Sequence, residues 1–160
     1  MTDSNFTSSQ RMGLIILRLF IGWHFLYEGV IKLYNPSWTA KGYLLSAEFM
    51  KPFFAFLASD SLIGIIDTIN ITLLILVGVL LIAGFKTGWA AIGGMLLLAM
   101  YYLAHPPFTG ITQGPAEGSY WIVNKNLVEL AALYVIYLFP TASSFGLEAL
   151  FGKQRIHTAH

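Results

Sequence analysis

The stretch "LIGIIDTINITLLILVGVLLIAGFKTG", Leu62 to Gly88, decides how this chain folds. A bilayer core of about 30 Å needs roughly 20 residues of helix, and the run from Leu62 to Phe85 meets that length. Past Asn70 only Thr72 interrupts its apolar character. "KTG" then leaves room for nothing but a turn before a second apolar run, Trp89 to Ala104, so the two runs predict an antiparallel hairpin in a membrane. Outward from this hairpin lie an earlier apolar run, Gly13 to Tyr34, and a later one that starts at Ile122 and stops at Pro140, which a helix does not easily continue through. The reading is an all-α integral membrane protein, a single domain over 1–160. Its four transmembrane helices are expected near 13–34, 62–85, 88–105 and 122–140, with both termini on one side.

Composition excludes the main alternatives. Of the 160 residues 56% are hydrophobic and 11% charged, against about 25% charged in an ordinary soluble domain. The formal net charge is +1 and the nine Lys and Arg are scattered, so there is no basic patch for nucleic acid. Cysteine is absent, which removes disulfides, thiolate metal sites and Cys-pair redox chemistry. No small-residue cleavage site follows "MTDSNFTSSQRMG", so the first run reads as retained. Lys and Arg counts on the two sides nearly balance, and the compact "GKQRIH" tail tips the expectation toward cytoplasmic termini.

Between the first two spans lies "NPSWTAKGYLLSAEFMKPFFAFLASDS", broken by Pro36, Gly42 and Pro52 yet rich in aromatics. It predicts an interfacial amphipathic helix, or two, after helix 1, with Trp38, Tyr43, Phe49, Phe53, Phe54 and Phe56 dipping toward the acyl chains. The loop "HPPFTGITQGPAEGSYWIVNKN" predicts coil folded over the end of the bundle.

The first span is the chemically unusual one, because "RLFIGWHFLYEGVIKL" carries Arg18, His24, Glu28 and Lys32 where a bilayer penalises charge by at least about 2.5 kcal/mol per group. At 100° per residue Arg18, Gly22, Phe25, Gly29 and Lys32 share one stripe, and the glycines on it admit close approach by another helix or a ring. His24 and Glu28 stand four apart, as do Glu28 and Lys32, so either pair can meet. Glu129 is the only acidic residue well inside another span, and its expected partners are Glu28, Lys32 or His105. Arg18 lies about 15 Å along the helix from Glu28, at 1.5 Å per residue, and is expected to find a partner nearer the termini. Lys32 and Lys125 also fit snorkelling anchors, and His24 and His105 fit hydrogen-bonded interfacial residues. Glu28 and Glu129 resist such readings, since short carboxylates cannot snorkel far.

Glu28, His24 and Glu129 are therefore the candidate catalytic residues. Arg18, Trp23, Lys32, Asn70, His105, Trp121 and Asn124 are the candidate binding residues. No metal-ligand set is assigned. Trp23 stands out because it sits deep in helix 1 beside His24, where it could line an apolar pocket, whereas Trp38, Trp89 and Trp121 suit an interfacial belt.

The pattern Arg18, Gly22, Phe25, Gly29 and Lys32 resembles the opening of the DoxX/DoxD family of small bacterial membrane proteins. "GVLLIAGFKTG", a His closing the third helix and the later "NLVELAAL" extend that resemblance over most of the chain. The long aromatic loop after helix 1 looks more like the DoxD branch, named for a thiosulfate:quinone oxidoreductase subunit. The resemblance implies a four-helix bundle in the inner (cytoplasmic) membrane, quinone as the cofactor and a redox partner protein, with homo-oligomerisation left open. The residues themselves are compatible with a quinone: apolar walls for ring and tail, and His, Glu or Tyr to exchange protons. A small-solute transporter or channel, using the polar stripe as pathway, and a membrane anchor or assembly factor are the competing readings. No heme motif or nucleotide fingerprint is evident, and His24 with His105 would give at most one bis-His heme.

Overall fold

The computed structural model describes residues 6–108 and 121–150. Six helices follow in chain order: α1 (Ser8–Tyr34), α2 (Lys41–Leu45), α3 (Lys51–Leu57), α4 (Ile63–Ala83), α5 (Thr87–Ala104) and α6 (Lys125–Leu138). Among the described residues α1, α4 and α5 are long and apolar enough to cross a membrane.

The expected boundaries hold for the central hairpin and shift at both ends of the chain. Helix α1 begins at Ser8 rather than Gly13, because Thr7 caps it: the Thr7 hydroxyl accepts from the Gln10 amide and the Gln10 side chain accepts from the Thr7 amide. Helix α6 is 14 residues long, shorter than the span expected at 122–140. That is about 21 Å at 1.5 Å per residue, against a core of about 30 Å. Its start is delayed by Asn124, whose side chain accepts from the Leu127 amide as an N-cap, and Trp121 just before it has a left-handed backbone.

The hairpin turn works through Gly84, whose φ of 63° closes α4 while the Phe85 amide reaches back to the Leu80 carbonyl at 3.1 Å. Helices α1 and α4 cross closely at glycine. A Cβ on Gly78 would lie 2.5 Å from the Leu26 backbone nitrogen, and one on Gly22 would lie 2.9 Å from Ile82. Gly22 facing residue 82 while Gly29 faces residue 75 makes the two helices antiparallel, and Gly94 against Leu133 with Gly88 near Tyr137 does the same for α5 and α6. The core between these four helices is Phe25, Val77, Leu81, Ala91, Leu98, Leu133 and Ile136. Outward faces are strongly apolar, with Phe20, Trp23, Trp89 and Leu96 exposed, as a surface bathed in acyl chains requires.

The segment between α1 and α4 does not simply lie on the bilayer surface. Its helices α2 and α3 form a cap with its own small core, in which Leu44, Ala47, Phe54 and Ala58 close over Ala104 at the end of α5. Phe54, expected to face acyl chains, is instead fully buried in protein, while Phe49, Phe53 and Phe56 stay exposed. The cause is the small residues Ala40, Ala47, Ala58 and Ala104, which leave a socket that one phenyl ring fills. Asp67 on α4 ties the cap down by accepting from the Ala40 amide at 2.8 Å.

Candidate functional site

Where α1 ends, α4 begins, α5 ends and α6 begins, the cap covers the end of the bundle. Beneath it is a cavity of about 310 Å³. Phe25, Trp38, Leu74 and Leu98 supply apolar wall, and His24, Glu28, Lys32, Tyr43, Asn70, Tyr101, Lys125 and Asn126 supply polar groups.

Helix geometry makes the first of these pairings. Glu28 and Lys32, one turn apart on α1, form an ion pair, and Lys32 also lies 5.6 Å from the centroid of the Trp38 ring. The second pairing crosses the bundle: His24 Nδ1 donates to Glu129 Oε1 at 2.7 Å, joining α1 to α6. Glu129 was expected to meet Glu28, Lys32 or His105, and instead meets His24. Position explains it, since α6 begins only at Lys125, so Glu129 stands one turn into its helix and level with His24 rather than with the end of α1. With Nδ1 engaged, His24 retains Nε2 for a proton or a ligand.

A third polar element spans α4 and α5. Asn70 Nδ2 donates to the Tyr101 hydroxyl at 2.6 Å, so that hydroxyl keeps its own hydrogen to donate elsewhere, and Asn70 Oδ1 is buried with no partner among the described residues. An amide oxygen left so is costly unless a ligand or water supplies a donor. Tyr43 of the cap donates to the Tyr101 carbonyl at 3.1 Å, and burial together with the neighbouring Tyr101 phenol holds its own phenol above the ordinary value. It therefore stays a neutral donor at all physiological pH.

Of the residues singled out from sequence, His24, Glu28, Lys32 and Asn70 line this cavity, and Glu129 joins through His24. Asn124 serves as the α6 cap next to it. His105 stands behind the wall, its ring against Tyr43 at 4.5 Å and its Nε2 3.2 Å from the Tyr43 carbonyl; among the described residues the roof over the site comes from Trp38 to Tyr43, where the loop containing His105 was also expected to cover it. Most of that loop, 109–120, lies outside the described residues. Trp23 faces outward and stacks on Tyr27 at 6.3 Å, and Trp121 is also exposed. Arg18 lies at the other end of the bundle, fully buried, donating to Thr141 Oγ1 at 3.0 Å and to the Phe145 carbonyl at 2.8 Å. Its partner toward the termini is thus the segment after α6, which also accepts the Lys86 amide through Glu148 at 2.6 Å.

Sequence reading missed Tyr101 and assigned Trp38 and Tyr43 to the lipid interface. A signal existed for Tyr101: a phenol inside a span needs a hydrogen-bond partner, and Asn70 is the one amide in the facing run.

Neither a curated relative nor a solved structure matches the chain. The DoxX family model matches residues 13–106, more than half of the chain, from the first apolar turn of α1 to just past α5. The matched region contains Glu28, Lys32, Asn70 and Tyr101, while Glu129 lies beyond it. With its membrane-crossing helices and this match, the chain is a multi-pass membrane protein that belongs to the DoxX family.

Proposed function

We propose that this protein is the quinone-binding membrane subunit of an oxidoreductase, a DoxD-like DoxX protein of the bacterial inner membrane that receives electrons from a partner protein. In this reading α6 also crosses the bilayer, its ends completed by Val123 and Phe139 and by local thinning, so that four helices enclose the site. Both termini then face the cytoplasm.

The cavity beneath the cap carries the proposal, because it combines an apolar wall with three separate polar elements at one end of the bundle. A quinone ring needs that combination: flat apolar contact on its faces and hydrogen-bonding groups at its two carbonyl oxygens. The volume of about 310 Å³ suits one substituted ring. A bound quinone would supply two-electron, two-proton redox chemistry at this site, with His24, Glu28, Asn70 and Tyr101 as the residues that would hold its ring.

The chain's own residues do the rest. Tyr101, its hydroxyl oxygen occupied by Asn70, donates its hydrogen to a carbonyl oxygen from the α5 side. His24 faces it across the cavity, with Glu129 holding the imidazole orientation. Glu28 receives protons and relays them, while Lys32 holds its carboxylate in place by the ion pair. Leu74, Leu98 and Phe25 keep bulk water away from the ring.

Organic extraction of the purified protein followed by mass spectrometry should recover quinone at near-equimolar amounts, and a short-chain quinone should bind the extracted protein. Glu28→Gln should remain folded and bind the same quinone, yet lose at least about tenfold in quinone-reducing turnover with its partner, in line with the contribution of a general acid–base group. Absence of both co-extracted quinone and quinone binding would exclude the proposal.

A further inference from the structure

A second concavity, of about 470 Å³, runs along the outside of the bundle at the seam of α1 and α6. Leu17, Phe20, Ile21, Val128 and Ala132 line it, and its far end reaches Val123, Asn124, Lys125 and Glu129. We infer that this groove holds the isoprenoid tail of the quinone whose ring occupies the cavity, and that the ligand enters sideways from the bilayer between α1 and α6. The inference rests on the quinone reading above.

Three observations fix the occupant. Size is the first: a cavity of about 310 Å³ stands at the small end of ligand sites, so a ring fits and a polyprenyl chain must leave it. Continuity is the second. Lys125 belongs to the walls of both the cavity and the groove, and the two are otherwise divided by the His24–Glu129 hydrogen bond, with His24 on the cavity side and Glu129 on the groove side. The ring site and the groove therefore adjoin at Lys125 and at the His24–Glu129 pair, side chains on the seam of α1 and α6.

Packing is the third. Of the four seams between the long helices and α6, the one between α1 and α6 is the most sparsely packed, whereas α1 meets α4 glycine against backbone. Exit through α1 and α4 would need Gly78 to move off Leu26. The groove's wall is branched aliphatic and aromatic, matched to a methyl-branched hydrocarbon, and its polar groups cluster only at the end nearest the ring. A bilayer on the outer side lets a long tail continue past the groove without entering water.

The test uses the full chain in lipid nanodiscs and two quinones with the same ring, one carrying a long isoprenoid tail and one carrying none. Val128→Trp fills the groove from an exposed position on α6. It should weaken the tailed quinone by about tenfold or more relative to the unaltered protein and change the tailless ring by less than about twofold. Equal weakening of both, or no weakening of either, overturns the groove assignment. In the unaltered protein, a tailed quinone with a photoreactive group two isoprene units from the ring should label residues 17–21 and 128–132. Labelling confined to another helix face overturns the assignment while leaving the ring site standing. So does a photoreactive phospholipid that labels the groove and is not displaced by the tailed quinone. Failure of the tailless ring to bind the unaltered protein overturns the quinone reading itself, and the groove with it.

Discussion

At the scale of single residues, the ionisable groups of α1 from Gly13 onward divide into two sets with different work. Arg18 is a tie. Its guanidinium is fully buried and holds Thr141 and the Phe145 carbonyl, so it anchors the segment after α6 against α1 and the α4–α5 turn. Arg18→Gln should lower stability by about 3 kcal/mol, the scale of two hydrogen bonds to a buried charge, and should leave quinone binding in the folded fraction unchanged because the cavity lies at the opposite end. Thermal unfolding in detergent beside a binding titration separates the two quantities. Glu28, His24 and Lys32 form the other set, and each touches the cavity. Their presence in a span was plain from the sequence, as was the need for partners. Which partner each takes was not, because helical spacing offers His24 a carboxylate at Glu28 as readily as Glu129 and only the depth at which α6 starts decides between them.

At the scale of elements, α1 packs on α4 closely enough to depend on having no side chain at Gly78. Gly78→Ala would place a methyl 2.5 Å from the Leu26 nitrogen, a contact relieved only by moving a helix. A loss of about 1–3 kcal/mol is expected, the usual cost of overpacking, together with a shift in tryptophan emission as Trp38 moves with the end of α1. Gly22→Ala should cost less, since its first contact is the movable Ile82 side chain. The stripe carrying Gly22 and Gly29 was legible from helical periodicity alone. The cap was legible only in part: amphipathic short helices were expected after α1, but the burial of Phe54 depends on Ala104, some fifty residues further on, and no local pattern encodes that meeting.

At the scale of the whole molecule, antiparallel neighbours bring the beginning of α1 and the end of α6 together, and Phe6 meets Phe139 edge to face at 5.5 Å. Single cysteines introduced at Thr7 and Ser144 into this cysteine-free chain should react with an impermeant reagent from one side of the membrane, and one at Ser37 from the other. Labelling of residues 7 and 144 from opposite sides would show that α6 does not cross and would remove the fourth span.

Helical class, the membrane as solvent, the central hairpin and the list of ionisable groups needing burial were determined by the sequence alone. Each follows from short-range quantities: the length of an apolar run, a three-residue turn, a 3.6-residue period and the cost of a charge in hydrocarbon. The tertiary structure alone decided that His24 pairs with Glu129, that Tyr101 and Asn70 form a cavity wall, that Trp38 and Tyr43 roof a site, and that Trp23 faces lipid. Those outcomes turn on the relative depth and rotation of helices far apart in the chain. Such depth is set by close contacts such as Gly78 on Leu26 and Arg18 on the post-α6 segment, contacts between residues that no spacing along the sequence relates.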